Sequence, residues 1–246
     1  LGALIAPRSS VVLKKDCLDL PPLVRKKVYV ELGPDQRRLY KEMERDFITF
    51  LGGSACTAML ALTQGLRLMQ IASGFVAGKE HLGVQGAALE TKTIERCPDD
   101  GRSAALRDLL SQLTPNHKVI VWAIFRENFA AIAEVCLELG LGTAEVHGEI
   151  DRATKDANVD RFQNDPSCRV LFGHPRSGGI GINLTAASYS IFYSRSFSRE
   201  DDLQAEARNY RGGSEVHESI TRIDLIAPGT IEERVLDAFE RGEAIS

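Results

Sequence analysis

The sequence has no apolar run near the roughly 18–20 residues that a membrane-spanning helix needs. The apolar start, residues 1–6, is too short for a secretory leader and has no basic flank. No CxxC pair and no Cys/His cluster occurs, and the five cysteines at 17, 56, 97, 136 and 168 stand singly. That spacing argues against a zinc site or a disulfide framework, so no metal ligand set is expected in this chain. An odd count of isolated thiols suits a reducing, intracellular compartment, cytoplasmic if the source is bacterial. Positive charge is not in excess: 30 Lys and Arg face 34 Asp and Glu, for a net charge of −4. Taken alone, that balance argues against a coat that holds nucleic acid by charge alone, and it does not exclude a local basic groove. The phosphate-binding pattern G-x-x-x-x-G-K-[ST] is also missing, since Gly78-Lys79 lacks both the preceding glycine and the following hydroxyl. No acidic box follows an apolar strand to hold magnesium, so the main nucleotide-holding parts of a P-loop enzyme are absent from this stretch. The chain opens Leu1-Gly2-Ala3 without an initiator Met, which suggests a piece of a longer polypeptide.

What is present is ordinary globular material, 43% hydrophobic and 26% charged over 246 residues. Val28, Val30 and Leu32 alternate with Tyr29 and Glu31 and predict a strand. Pro34 then opens a helix whose apolar positions Leu39, Met43, Phe47 and Phe50 are helically spaced. A second helix is predicted over 58–71. Residues 73–101 are Gly-rich and weakly periodic and read as a surface insertion or hairpin. From residue 102 the pattern becomes regular. Helices are predicted at 102–113, 127–139, 151–163, around 178–184, at 199–211 and at 230–241. Strands are predicted at 118–123, 143–146, 169–172, 190–193 and 219–226. Short apolar strands alternating with helices specify a parallel sheet covered on both faces, in which ligands bind at the carboxyl ends of the strands. The loops beginning at His147, His174 and Ser194 should therefore crowd one rim. Two segments result: an entry strand, helical extension and variable insertion over 1–101, and a regular α/β core over 102–246.

Two clusters carry chemistry. Gly178, Gly179 and Gly181 allow close backbone approach and expose amide donors. On a helix over 199–211, Gln204, Arg208 and Arg211 stand at i, i+4 and i+7 and share one face. Fixed, always-charged guanidiniums beside a glycine turn suit a phosphate chain and its transferring end. His147 at a strand end reads as a packing or solvated residue rather than a base, and the single tryptophan, Trp122, as core.

In order, these pieces resemble the second RecA-like lobe of superfamily-two helicases, and more narrowly the SWI/SNF-type ATPases. VVLKKDCLDLPP followed by VYVELGPDQRRLYKEM resembles the family's entry, and LRLMQIAS a helix after it. KVIVWAIFRENFAAIAEVC resembles motif IV, and HGEIDRATKDANVDRFQNDP the segment after it. SGGIGINLTAAS resembles motif V, QAEARNYRGGS motif VI, and GTIEERVLDA the closing helix. Departures fall at Val11 and Val12 for two arginines, Lys155 for an arginine, His174 to Ser177 for S-T-K-A, Phe197 to Arg199 for W-N-P, and Ser214 for a glutamine. The resemblance is to a divergent bacterial or phage-type member.

The resemblance implies an α/β, RecA-like (P-loop NTPase-like) parallel sheet sandwiched by helices, with an N-terminal helical extension and a surface insertion. It implies the second motor lobe of an ATP-dependent double-stranded-DNA translocase. Arg211 would be the arginine finger and Arg208 its support. Gln204, Gly179 and Gly181 would face the nucleotide, and Lys118, Arg126, Arg176 and Gly178 the DNA. ATP and Mg2+ would be held mainly by the first, N-terminal RecA-like lobe of the same polypeptide, with duplex DNA as the partner and no membrane. Two other readings stay open: a lobe of another superfamily-two helicase or restriction-type motor, and a non-catalytic RecA-like binding or regulatory module.

Overall fold

The structure, a computed structural model, describes residues 19–51, 58–81, 90–97, 101–177 and 182–242. Its centre is a six-stranded sheet, all pairs parallel. In chain order the strands are β1 (Leu23–Tyr29), β4 (Lys118–Trp122), β5 (Gly142–Val146), β6 (Cys168–Gly173), β7 (Ala187–Phe192) and β8 (Ile220–Ile226). The order across the sheet is β1-β8-β7-β4-β6-β5. A separate antiparallel pair, β2 (Phe75–His81) and β3 (Glu90–Arg96), forms the hairpin expected within 73–101. The helices are α1 (Pro34–Leu51), α2 (Ala58–Ala72), α3 (Gly101–Leu113), α4 (Arg126–Glu138), α5 (Arg152–Asn164), α6 (Arg199–Glu206) and α7 (Ile231–Arg241). Among the described residues no helix is long and apolar enough to cross a membrane.

Strand alternation builds two cores. Along β4, Val119 and Val121 face one way and pack with Leu106 and Leu110 of α3 and Ile132 and Val135 of α4. Ile120 and Trp122 face the other way and pack with Phe162 of α5, Leu184 and Ala205 of α6. A strand buried on both faces has no polar side to show, which is why KVIVW reads as a continuous apolar run. A third cluster joins Leu32 and Tyr40 to Leu68 and Ile71 of α2 and Ala227 after β8. The entry segment is therefore part of the sheet. Strand β1 runs from Leu23 to Tyr29, so it starts before the alternation at 28–32 and stops inside it; Arg25, Lys26 and Lys27 make it a charged, exposed edge strand, which discourages further pairing.

Two further expectations are corrected. Residues 182–184 are not helical, and 178–181 lie outside the described residues. Helix α6 stops at Glu206 with Ala207 as its cap, not at residue 211.

The strands end so tightly together that one glycine is obligatory. A Cβ on Gly173, the last residue of β6, would collide with the Val146 carbonyl oxygen of β5. Gly173→Ala should force these two strands apart and lower stability by about 1–3 kcal/mol in urea denaturation. An unchanged midpoint would show that the strand ends can separate freely.

Candidate functional site

At the carboxyl edge, successive strand ends are stitched by short hydrogen bonds. His174 N donates to Val146 O, Ala123 N to Gly173 O and Tyr193 N to Trp122 O, at 2.8–3.0 Å. Ser194 Oγ accepts from Ile124 N at 3.0 Å. The loops starting at His147, His174 and Ser194 thus leave one rim, as expected. An open groove of about 480 Å³ lies on this rim, lined by Arg126, Phe129, His147, Glu149 and Phe172. His147 stacks on Phe129, with ring centroids 5.1 Å apart and planes at 14°, and meets Glu145 Oε2 at 3.3 Å. These contacts give it a packing role. Arg126 opens α4, is largely exposed and pairs with Glu149 at 2.8 Å. Arg176, in the loop after β6, points its Nε at both oxygens of Asp201, each 2.7 Å away. That contact holds the Arg176 pKa above its ordinary value.

The arginines of interest lie elsewhere. Ser198 caps α6 by accepting from Asp201 N, and the helix runs to Glu206. Beyond it, the chain turns and folds against residues 182–187, which lead into the amino end of β7. Leu184 N donates to Arg208 O at 3.0 Å, and Asn209 Nδ2 to Ala187 O at 3.2 Å. Arg211 Nη1 reaches Ile182 O at 3.5 Å, and His217 Nε2 lies 2.7 Å from Thr185 O. Arg208 is only 8% exposed. Burial, with the neighbouring Arg211 charge, pushes its pKa down. Two guanidiniums share one half-buried place, and the Arg211 charge weighs against the charge on buried Arg208, a setting that an anion would relieve.

The expected site residues therefore divide. Arg208 and Arg211 are brought together, though by a turn and not by a shared helical face. Gln204 does not join them: it is exposed on α6 and donates to Glu200 Oε1 at 3.0 Å. Gly178, Gly179 and Gly181 lie outside the described residues. Lys118 is corrected. It begins β4, opposite Ala187, at the amino edge rather than on the carboxyl rim. Its ammonium donates to the carbonyls of Phe162 and Asp165, and burial lowers its pKa. Among the described residues no group of three or more His, Cys, Asp or Glu is placed to hold a metal ion.

Sequence reasoning missed a buried ionic chain under α6. Arg195 pairs with Asp224 at 2.7 Å, and Arg222 pairs with Asp224 at 2.8 Å and with Asp202 at 2.7 Å. Glu206 receives Arg222 at 3.3 Å and Arg25 at 2.7 Å. Burial works against the charge on Arg222, but Asp224 and Asp202 outweigh it and its pKa is raised. Burial likewise opposes the Asp224 carboxylate, and Arg195 and Arg222 hold its pKa down. The legible signal was ITRIDLI, a wholly buried strand carrying Arg222 and Asp224 two positions apart.

The helicase conserved C-terminal domain family matches residues 101–213, from the first residue of α3 through the turn that follows Arg211. This stretch is a helicase conserved C-terminal domain. The chain is 27% identical over 246 residues to the CHD3-type chromatin-remodeling factor PICKLE of Arabidopsis thaliana, covering 98% of this chain and 17% of that protein. It spans 11–17% of the length of the curated relatives it matches first. The C-terminal part of the Fun30 ATPase domain superposes with a TM-score of 0.70 at 18% identity, covering 89% of each chain. The Sulfolobus solfataricus SWI2/SNF2 ATPase core in complex with dsDNA gives 0.66 at 22% identity, covering 98% of this chain and 49% of that one. The domain and its entry segment thus have the RecA-like fold of the C-terminal lobe of SWI2/SNF2 ATPases.

Proposed function

We propose that this chain is the second motor lobe of an ATP-dependent translocase on double-stranded DNA, with Arg211 as the arginine finger and Arg208 as its support. The observation that carries this reading is the pairing of the two guanidiniums beside residues 182–187, where burial and like charge favour an incoming anion. A triphosphate end fits that demand: bound ATP would supply the γ-phosphoryl group whose charge grows in the transition state, and arginine forks would meet its oxygens. ATP and Mg2+ would be anchored by the N-terminal RecA-like lobe, because this chain has neither G-x-x-x-x-G-K-[ST] nor an acidic box. Gln204, exposed on α6, and Gly179 and Gly181 remain proposed nucleotide-facing residues of the closed two-lobe form. Gly178 remains a proposed DNA contact. A solved relative described as a SWI2/SNF2 core in complex with dsDNA supports duplex DNA as the partner.

Purified residues 1–246 should therefore hydrolyse almost no ATP, with or without DNA, whereas the full-length polypeptide should be DNA-stimulated. Robust turnover by the isolated chain would overturn the division of labour.

The exposed carboxyl-rim cations should act on DNA through charge. In the full-length polypeptide, Arg126→Ala and Arg176→Ala should each weaken duplex binding about equally across sequences. Each should also flatten the dependence of log affinity on log salt by roughly one unit. An unchanged salt slope for both variants would remove that rim from the DNA interface.

A further inference from the structure

Helix α6 ends on a buried carboxylate, and elementary electrostatics makes that an awkward place for one. The last turn of a helix presents unpaired carbonyls and disfavours negative charge, and burial disfavours it again. Glu206 is nonetheless the last residue of α6, its side chain only 10% exposed. Two guanidiniums offset the penalty. Arg25 of β1 meets it through two bonds, Nε to Oε2 at 3.0 Å and Nη2 to Oε1 at 2.7 Å. Arg222 of β8 meets Oε2 at 3.3 Å. Arg25 and Arg222 are in register on neighbouring parallel strands, so without Glu206 their like charges would face each other. The same Arg222 is fixed from its other sides, by Asp202 and Asp224 and by the Phe192 ring, 3.8 Å below its guanidinium.

What this arrangement holds is the start of the arginine-bearing turn. Tyr210 N donates to the Glu206 carbonyl at 3.1 Å, and Arg208 N to Ala205 O at 3.2 Å. The backbone at Ala205 and Glu206 thus accepts hydrogen bonds from residues 207–211 as they leave the helix. Strand β1, which contributes Arg25, lies outside the conserved domain match at 101–213.

We infer that Glu206 is a positioning residue for the Arg208–Arg211 pair, and that its bidentate bond to Arg25 ties the aim of that pair to the entry strand β1. The inference rests on the proposed role of Arg211 in ATP hydrolysis. A small misplacement of a charge-stabilising group lowers turnover steeply while leaving ground-state binding nearly intact.

The test uses the full-length polypeptide and measures DNA-stimulated ATP hydrolysis, with Arg211→Ala assayed alongside. Glu206→Gln keeps the shape and removes the charge. It should lower kcat by roughly 10–100-fold and leave KM for ATP and the DNA affinity within about twofold. Arg25→Met guards against a folding failure, because Arg25 is 56% exposed and its loss leaves Glu206 paired with Arg222. It should lower kcat several-fold in the same pattern, and Arg25→Lys, which restores the charge, should recover part of the loss. Wild-type kcat in both Glu206→Gln and Arg25→Met, beside an inactive Arg211→Ala, overturns the positioning role alone. A loss that tracks only the folded fraction, with Arg25→Lys no better than Arg25→Met, overturns it too. Wild-type turnover in Arg211→Ala overturns the positioning role together with the finger assignment.

Discussion

Replacing Arg211 by alanine in the full-length polypeptide should reduce DNA-stimulated ATP turnover by roughly 10³–10⁵-fold, the range over which an arginine finger acts. The fold should survive. Arg211 is only half-buried, and the one described bond of its side chain is a 3.5 Å contact to the Ile182 carbonyl, so removing that side chain leaves little unsatisfied. Steady-state turnover at saturating DNA, set beside a thermal melt, measures both quantities. Arg211→Lys should recover only part of the rate, since an ammonium keeps the charge but not the planar fork. Arg208→Ala is a poorer probe, because that side chain is 8% exposed and its loss would also disturb packing. Wild-type turnover in Arg211→Ala, with an unchanged melt, would remove the finger from this chain.

The route to that prediction was partly legible in the sequence. Alternation of short apolar strands with helices from residue 102 onward gave the parallel sheet, because strands covered on both faces must be apolar throughout. The motif order set Arg208 and Arg211 three positions apart, and the structure brings their side chains close together. Their local structure was not legible. AEARNYR has no helix breaker before Gly212, so propensity alone continues α6 through Arg211. The helix ends earlier, and the segment after it is held instead by long-range bonds, from Leu184 N to the Arg208 carbonyl and from the Asn209 side-chain amide to the Ala187 carbonyl, more than twenty residues back. Lys118 failed for a directional reason. A basic residue beside an apolar run suggests a rim, but in a parallel sheet the first residue of β4 lies at the edge opposite the strand ends. The carbonyls of Phe162 and Asp165 then take up its ammonium. Arg222 and Asp224 announced a buried ionic site by their position alone. Their partners Arg195, Asp202, Glu206 and Arg25 come from separate elements and could be found only in three dimensions.

The largest stability effect is expected at Glu232. The segment Gly229-Thr230-Ile231-Glu232-Glu233 first read as a family signature, and its parts turn out to be structural. Gly229 has φ +70°, Thr230 caps α7 by accepting from Glu232 N, and Glu233 accepts from Gly229 N at 3.0 Å. Glu232 itself, 0% exposed, meets Arg102 Nη2 at 2.5 Å and also accepts from Ala227 N at 3.1 Å. Arg102, 1% exposed, donates in addition to the carbonyls of Tyr193, Leu225 and Ala72. One guanidinium thus ties α3 and α7 to the ends of β7, β8 and α2. Glu232→Ala leaves that cation buried without its counter-charge, and should cost about 3–5 kcal/mol of stability. For a chain of this size the thermal midpoint should fall by about 10 °C or more. Glu232→Gln keeps an acceptor for Ala227 N and should cost clearly less. The double variant Arg102→Met/Glu232→Leu separates charge from hydrogen bonding. Replacing a buried ion pair with apolar groups is often nearly neutral, but here three carbonyls would also lose their donor. The double variant should therefore remain destabilised, by an amount no larger than Glu232→Ala alone. Full recovery of the wild-type urea midpoint would mean that the carbonyl bonds of Arg102 contribute nothing. A Glu232→Ala midpoint equal to wild type would show that the pair does not anchor α7 at all.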